Sequence, residues 1–404
     1  MYTVCYFGLF TAIFFLLTLF ENKDRISDPK PKRFPIVSII VPAYNEEKTI
    51  AKTIKSLLTM NYPKDKFEVI VIDDGSTDKT FEVASKFKSK NLRIYRQENS
   101  GKGTALNFAL DVCKGEFVGA LDADSFVTKN ALRNIVGYFE DPNVMAVTPS
   151  LKVYKPGNIL QKIQFIEYLM GIFLRKVFAF LGSQHVTPGP FSIYRKKFFD
   201  IYGKYDEDNL TEDIEMALRI QFHKYHIENS LEAIVYTVAP KKFRPLLKQR
   251  LRWYVGFINN VAHYKALFSP KYGNLGMFVL PSAFISAFLV IASVFYSIYK
   301  LIFNTTQNII NWKAINFDLL TLLKINFDMF FVNFNSVVVL SLLAVVVGVY
   351  IIVVAKILSK EKSSIKGKYL YFLLFYWFLY GFWWFLAGIY KIIGKKIYWG
   401  HKTL

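Results

Sequence analysis

Residues 67–78 read FEVIVIDDGSTD, an apolar run that ends in two aspartates, a glycine and a serine. A run dominated by Val and Ile predicts a strand that is buried on both faces, which is typical of a parallel sheet. Asp73 and Asp74 fall at the carboxyl end of that strand, the edge at which parallel sheets bind ligands. The stretch therefore predicts an α/β domain with a binding site beside these two acids.

The segments around this stretch repeat the alternation of strand and helix. IVSIIV at 36–41 predicts another buried strand, and 46–58 has apolar residues at helical spacing. The pattern continues with a helix over 78–88, a strand over 92–96, a helix over 103–113 and a strand over 116–121. Strands that alternate with helices form parallel sheets with right-handed crossovers. The predicted fold class is therefore α/β, a mostly parallel sheet with flanking helices.

The composition narrows the class of protein. Of 404 residues, 53% are hydrophobic and 17% aromatic, and the formal net charge is +20. Such a chain is not disordered, not a coiled coil and not a wholly soluble enzyme. The positive charge indicates an anionic membrane surface or an anionic substrate. The hydrophobic segments count against nucleic acid as the partner.

Uncharged segments at both ends of the chain predict membrane helices. Residues 4–20 are just long enough to span a bilayer, and they lack the basic start and the cleavage site of a signal peptide. Basic residues that follow them place the next domain in the cytoplasm. Further spans are predicted over 277–299, 337–355 and 369–390. Residues 159–181 predict an amphipathic helix on the membrane, with a buried core helix as the alternative.

The number of spans stays open at four or five. The apolar stretch 316–334 carries three charges and is an interfacial or re-entrant helix or a fifth span. The loop 356–368 and the C-terminal tail are both basic, so one span between them is missing or re-entrant if both are cytoplasmic. We divide the chain into an N-terminal membrane helix (1–22), a cytoplasmic domain (34–256), an interfacial helix or linker (257–276), a membrane region of three to four helices (277–394) and a basic tail (395–404).

Two pairs of acids end predicted strands. Asp122 and Asp124 flank one alanine, and their oxygens suit Mg²⁺ or Mn²⁺, which would also bind a diphosphate. The alternative is a turn in which Asp124 caps a helix, and taken alone the two interpretations are equally good. Asp73 and Asp74 also have a turn interpretation, because Asp-Gly is a strong turn former. Their carboxylates could equally accept hydrogen bonds from a nucleoside.

Two motifs lie further along the chain. Glu212 and Asp213 precede a helical pattern and are either acids at a helix N-terminus or a source of a general base. In QRLRW at 249–253, Gln249, Arg252 and Trp253 share one helix face. That face offers an amide, a guanidinium for phosphate and an indole for a sugar ring. An interfacial helix is the alternative, and the two interpretations are compatible.

Together these residues resemble the family 2 glycosyltransferases, specifically the membrane-embedded branch that includes cellulose, chitin, hyaluronan and poly-N-acetylglucosamine synthases. The resemblance covers the chain from about Ile36 to Trp253 and implies a GT-A-type domain that binds a nucleotide sugar. Seven motifs in one order carry it: PAYNE (42–46), DDGS (73–76), SGKGTALN (100–107), LDAD (121–124), GPFSIYR (189–195), TED (211–213) and QRLRW (249–253).

The resemblance also implies a role for each matched position. Asp213 would be the catalytic base with Glu212 beside it, and Asp124 would ligate the divalent metal, Mg²⁺ or Mn²⁺. Trp253, Gly189 and Ser192 would line the acceptor side. The nucleotide sugar would be held by Tyr44, Glu46, Asp73, Asp74, Lys102, Asp122, Gln249 and Arg252.

The function implied is transfer of a sugar, with inversion, from a UDP-sugar to the end of a growing β-linked polysaccharide at the cell membrane. The alternative is a single transfer to a lipid or lipid-phosphate carrier, and the QRLRW motif favours the polymer. Four or five spans are few for a polymer channel, so dimerisation or interface helices would have to complete its wall. The expected partners are the donor, a glycan acceptor and the lipid bilayer.

Overall fold

A computed structural model describes residues 2–314, 336–395, 398–399 and 402–403. The predicted segment 316–334 and half of the tail 395–404 lie outside the described residues. An eight-stranded sheet forms the centre of the molecule. Its strands are β1 (Val37–Ala43), β2 (Phe67–Asp74), β3 (Leu92–Gln97), β4 (Phe117–Ala120), β5 (Ser125–Val127), β6 (Val144–Val153), β7 (Ile193–Arg195) and β8 (His226–Thr237). Residues Tyr398–Trp399 and Lys402–Thr403 pair as a separate two-stranded ribbon, β9 and β10.

The sheet is mostly parallel, in the order β3-β2-β1-β4-β7-β6-β8-β5. Strands β3, β2, β1 and β4 are parallel neighbours, as are β6 and β8, whereas β7 and β5 run antiparallel to their neighbours. The register pairs Ala43 with Asp73, so the carboxyl ends of β1 and β2 meet at one edge. This confirms the predicted α/β fold and the common edge for its acids.

Helices cover both faces of the sheet. Their bounds are α2 (Ile50–Leu58), α3 (Thr80–Ser85), α4 (Lys102–Val112), α5 (Ala131–Val136), α6 (Ile159–Phe180), α7 (Lys196–Tyr202), α8 (Glu212–Phe222) and α9 (Phe243–His263). Alternate residues of β1 point to opposite faces. Val41 joins the core with α2 and α5, and Ile40 joins the core with α4 and α8. The result is a three-layer sandwich that fixes the strand ends rigidly.

Among the described residues, four helices are long and apolar enough to cross a membrane, judged by length and composition. They are α1 (Tyr2–Glu21), α10 (Leu280–Ala314), α11 (Ser336–Leu358) and α12 (Lys366–Ile393). These helices correspond to the four strongest apolar segments of the sequence. The predicted division between residues 256 and 257 falls inside α9, which continues unbroken to His263.

Helix α6 lies between the sheet and the apolar helices. Ile166 and Phe173 are fully buried, and they share a cluster with Leu16 of α1, Ile351 of α11 and Val153 of β6. Both sides of α6 are therefore covered by protein. The structure favours the buried-helix interpretation of residues 159–181 over a helix resting on lipid.

Candidate active site

The loops after β1 and β2 are locked to each other. The Asn45 side chain accepts a hydrogen bond from the Thr77 amide (2.9 Å), and the Asn45 amide donates to the Ser76 hydroxyl (3.0 Å). Asn45 has φ +55°, a left-handed conformation that asparagine tolerates. Gly75, with φ +71°, has no room for a side chain, because a Cβ there would lie 2.6 Å from the Asn99 amide nitrogen. These loops form one wall of the strand edge.

The two acids that end β2 have different surroundings. Asp74 accepts hydrogen bonds from the backbone amides of Ser100 (3.0 Å) and Gly101 (2.9 Å), so it holds the start of α4. Asp73 is 1% exposed and lies 3.1 Å from Nε of Arg96. Its carboxylate oxygens accept no hydrogen bond from any described residue. The Asp73 oxygens can therefore still accept hydrogen bonds from a ligand, whereas the Asp74 oxygens already accept hydrogen bonds from the backbone.

Lys102 connects two of the predicted motifs. Its ammonium lies 2.8 Å from Asp122 and 2.8 Å from Glu212. Burial alone would lower the pKa of Lys102, but the two carboxylates raise it, so the lysine stays charged. A Cβ at Gly189 would lie 3.1 Å from the Lys102 nitrogen, so glycine leaves the ammonium its space. Asp122 after β4 and Glu212 at the start of α8 thus face the same cation.

Asp213 lies beside this contact, in the first turn of α8. Burial and the neighbouring Glu212 raise the pKa of Asp213 to about 6, although Arg252 and Lys102 act in the opposite direction. Burial would also raise the pKa of Glu212, but Lys102 and Arg252 lower it overall. The two adjacent acids therefore differ in proton affinity. Asp213 is the better proton acceptor, and Glu212 stays ionised.

Asp124 is surrounded by other acids. Burial, Asp122 and Glu46 raise the pKa of Asp124 to about 7. Burial also raises the pKa of Glu46, and Asp122 contributes to that rise. In the described part of the chain, no three His, Cys, Asp or Glu side chains form a complete metal site. A cation here would relieve the repulsion, and hard carboxylate oxygens are the ligands that Mg²⁺ and Mn²⁺ prefer.

The QRLRW motif lies within α9. Nη1 of Arg252 donates to the Leu210 carbonyl (2.8 Å), which places the guanidinium beside the start of α8, where it lowers the pKa of Glu212. The Trp253 ring lies 4.3 Å from the Arg250 guanidinium carbon. The buried side-chain oxygen of Gln249 accepts no hydrogen bond from the described residues. Arg252 therefore brings the QRLRW motif beside the two acids at the start of α8, Glu212 and Asp213.

The remaining predicted positions differ in accessibility. Tyr44 is half-buried in the loop after β1. Ser192 is 1% exposed, and its hydroxyl donates to the Pro188 carbonyl (2.6 Å), so that hydroxyl shapes the turn. The structure brings together one group of predicted residues around a small cavity of about 10 Å³. That group is Lys102, Gly189, Glu212 and Asp213.

A larger cavity, about 430 Å³, lies elsewhere. It is lined by Asp206, Asp208, His263 and Lys391, among others, and by none of the predicted site residues. We therefore take Asp122, Glu212 and Asp213, which lie around Lys102, as the candidate site, and not the larger cavity.

Two contacts at the site were not predicted from the sequence. Arg96 faces Asp73, which the register of β2 and β3 would have revealed, because these residues are direct strand partners. Buried Arg250 pairs with Glu167 of α6 (2.7 Å), and Tyr376 of α12 donates to the same carboxylate (3.2 Å). Glu167 is the one acid in the apolar segment 159–181, a signal that could have singled it out.

The fold and the sequence motifs can be compared with those of known protein families. Residues 38–203 match the model of Glycosyl transferase family 2, which places the similarity in the sheet part of the chain. The match contains five of the seven motifs and confirms the family resemblance over that part of the chain. The fold is shared with a mannosyltransferase from Pyrobaculum calidifontis solved in complex with GDP-Man and Mn²⁺, at a TM-score of 0.54 and 20% identity over 90% of this chain and 99% of that one.

Curated relatives narrow the comparison to one branch of the family. The chain is 34% identical over 225 residues to the poly-beta-1,6-N-acetyl-D-glucosamine synthase of Staphylococcus aureus strain COL, covering 54% of each chain. It is 30% identical over 240 residues to the enzyme of the same name from Staphylococcus epidermidis strain ATCC 35984, covering 58% of each. The chain thus spans a little over half the length of the relatives it matches.

Proposed function

We propose that this protein is a membrane-bound, inverting glycosyltransferase that adds a sugar from a UDP-sugar to a growing β-linked polysaccharide. The observation that carries the proposal is the Lys102 ammonium 2.8 Å from both Asp122 and Glu212, because it joins the DAD and TED motifs at one point. Asp213, with a pKa raised to about 6, lies next to that point. The synthase relatives support a polysaccharide product.

The donor would bind at the edge formed by β1, β2 and β4. Buried Asp73, whose oxygens accept no hydrogen bond from the described residues, would accept one from the base once Arg96 moves aside. Tyr44 would stack on the base, and Glu46 and Asp74 would complete the wall. Binding of a diphosphate would draw Lys102 away from its carboxylates, since a dianion offers the ammonium a stronger partner.

The diphosphate would lie between α4 and α9. Lys102, Gln249 and Arg252 would hold its oxygens and stabilise the negative charge that develops as the bond to the anomeric carbon breaks. Asp122 would contact the ribose and the diphosphate. A Mg²⁺ or Mn²⁺ ion held by Asp124 would neutralise charge on the leaving group. Such ions keep one or two carboxylates and take further ligands from substrate phosphates, which fits a site where no three acids of the described residues are arranged to hold an ion by themselves.

The acceptor would approach from the side of Gly189 and Trp253. Asp213 takes the proton of the attacking hydroxyl while its oxygen forms a bond to the anomeric carbon, and the bond to the UDP oxygen breaks. UDP leaves with the bonding electron pair, and the proton stays on Asp213 until it passes to water. Displacement in one step inverts the configuration, so an α-linked donor gives a β-linkage. Trp253 would provide the surface on which the acceptor sugar stacks.

The location follows from the apolar helices and the charge pattern. We place the protein in the cell membrane with residues 34–256 on the cytoplasmic side, where UDP-sugars are made. The basic residues after residue 22 support that side.

A donor screen tests the function. The full chain, purified in detergent with Mn²⁺, is offered a panel of UDP-sugars, and UDP release and product length are measured. We expect release with one donor and a ladder of products on a sizing gel. A product of one added sugar on a lipid carrier would replace the polymer with the single-transfer alternative. No release with any UDP-sugar would contradict the proposal.

A further inference from the structure

The loop that precedes α12 is attached to the sheet. Lys152 of β6 donates to the Ser359 carbonyl (2.6 Å) and pairs with Glu361 (3.2 Å). Lys360 pairs with Glu232 of β8 at 2.5 Å. The first end of α12 therefore lies at the sheet domain, the name used here for β1–β8 with α2–α9.

The other end of α12 is attached to the same domain. The Lys391 ammonium donates to the Asn259 side chain of α9 (2.6 Å), and Lys391 and Asp206 both line the larger cavity. The loop that carries Asp206 is itself bound to α4, because Asn107 donates to Glu207 (2.8 Å). Both ends of α12 thus touch elements of one folded unit.

The middle of α12 follows the surface of that unit. Tyr376 donates to Glu167 of α6 (3.2 Å), and the ring of Trp384 lies 4.7 Å from that of Tyr254 of α9. The 28 residues of α12 are about 42 Å long at 1.5 Å per residue. If α12 crossed a bilayer, its two ends and the polar loops they contact would lie on opposite sides. The sheet domain is one packed unit, so the parts of it that contact the two ends of α12 cannot lie on opposite sides of a bilayer.

The side of α12 that faces away from the sheet domain is apolar. No charged residue occurs between Lys368 and Lys391. Gly381 lets α10 pack closely, since a Cβ there would lie 2.8 Å from Val294. The exposed residues of this outer face are Leu370, Leu373, Leu374, Phe375, Trp377, Phe378 and Phe385. The exposed apolar side chains of this face suit contact with lipid acyl chains, and the lysines at its two ends suit the headgroup layer. The face also adjoins the membrane helix α10.

We infer that α12 lies in the plane of the membrane surface, on the side of the sheet domain, with its outer face against lipid and Lys368 and Lys391 at headgroup level. Among the described helices, α1, α10 and α11 are then the ones that cross. The loop 359–365 and residues 391–395 lie on one side, which resolves the conflict between the two basic segments. This inference does not depend on the proposed enzymatic function.

Cysteine labelling in membrane vesicles tests the sidedness. The two native cysteines, both buried, are replaced by Cys5→Ser and Cys113→Ser, and an impermeant maleimide probes Ser363→Cys and Ile393→Cys. Lys88→Cys marks the sheet-domain side, and Ser336→Cys marks the far end of α11. We expect the maleimide to label positions 363 and 393 from the same side of the membrane as position 88. It should label position 336 from the opposite side. Labelling of 363 and 393 from opposite sides would overturn the inference.

Depth measurement gives a second, independent result. Nitroxides attached after Leu370→Cys, Trp377→Cys and Phe385→Cys report their depth through collisions with oxygen and a polar nickel chelate. A helix in the membrane plane gives one depth within a few ångströms, whereas a spanning helix changes depth by about 22 Å over 15 residues. Val339→Cys, Val346→Cys and Val353→Cys of α11 are the matched control and should show the gradient. A gradient along α12 would contradict the inference.

Discussion

The Lys102 ammonium lies 2.8 Å from the Asp122 carboxylate, although Lys102 begins α4 and Asp122 follows β4. The same ammonium contacts Glu212 at the start of α8. One cation therefore contacts the acids of two motifs, Asp122 and Glu212, which are 90 residues apart in the sequence. We propose that this arrangement keeps the acids in place until a donor diphosphate takes over the lysine.

Replacement of this lysine should weaken donor binding. In Lys102→Met, the diphosphate loses a charge-assisted contact of about 1.5–3 kcal/mol, so the donor KM should rise about tenfold or more. UDP release at varied donor concentration measures the change. Lys114→Met removes an exposed lysine elsewhere in the sheet domain and should leave the donor KM unchanged. An unchanged donor KM in Lys102→Met would contradict the assigned role.

Loss of the general base should lower turnover without weakening donor binding. Asp213→Asn cannot accept the acceptor proton, so we expect turnover to fall by about 10²–10⁴-fold. Binding of UDP should be retained, because Asp213 is not assigned a contact to the nucleotide. Titration calorimetry measures this binding. Asp65→Asn changes an exposed acid and serves as the control. Loss of UDP binding together with turnover would refute the separation.

The pH profile should report Asp213. Its pKa is raised to about 6, and the base acts in its deprotonated form, so kcat/KM should rise with pH through about 6 and then level. Glu212 contributes to that rise in pKa. Glu212→Gln removes a neighbouring negative charge and should move the acid limb to lower pH. An acid limb that stays in place, or moves upward, would show that another group titrates.

Metal stimulation should depend on Asp124. Burial, together with the neighbouring Asp122 and Glu46, raises the pKa of this carboxylate to about 7, so protons and a divalent cation compete for it. Asp124→Ala should remove both turnover and its dependence on Mn²⁺, and apparent Mn²⁺ affinity of the unaltered chain should weaken below about pH 7. Metal-stimulated turnover that persists in Asp124→Ala would exclude this residue as the ligand.

The buried pair of Arg250 and Glu167 should support both stability and the acceptor surface. Arg250 is 1% exposed and also lies against Trp253, so Glu167→Gln leaves a buried cation without its counterion. Breaking such a pair costs about 3–5 kcal/mol. Thermal unfolding should therefore shift downward, and the acceptor KM should rise more than the donor KM.

A matched variant separates the two effects of Glu167→Gln. Glu361→Gln breaks another buried pair, with Lys152, that contacts neither Arg250 nor Trp253. It should lower thermal stability while the acceptor KM stays unchanged. Equal changes in acceptor KM for both variants would mean that the Glu167 pair has only a structural role.

The fold was predictable where local pattern and tertiary structure agree. The run at 67–72 is apolar because β2 is buried on both faces, and the predicted strand lies within the observed Phe67–Asp74. The edge shared by Asp73 and Asp122 follows from parallel pairing, which fixes where strand ends lie. Motif order then indicated a resemblance to one family, and residues 38–203 match the model of that family.

Other features depend on contacts that the sequence does not display. Arg250 and Glu167 are separated by 83 residues and meet only because α6 and α9 pack against each other. The Ser192 hydroxyl donates to the Pro188 carbonyl within its own turn, a contact that the sequence pattern does not display. Composition alone makes α12 a candidate span, whereas the contacts at its two ends place both at the sheet domain.

A structure of the purified full chain with UDP and Mn²⁺ tests the central claim most directly. We predict density for the diphosphate between Lys102 and Arg252, with the ion on Asp124 and the base beside Asp73. Density in the larger cavity, beside His263 and Lys391, would contradict the claim that the strand-end acids and the QRLRW helix serve one nucleotide site.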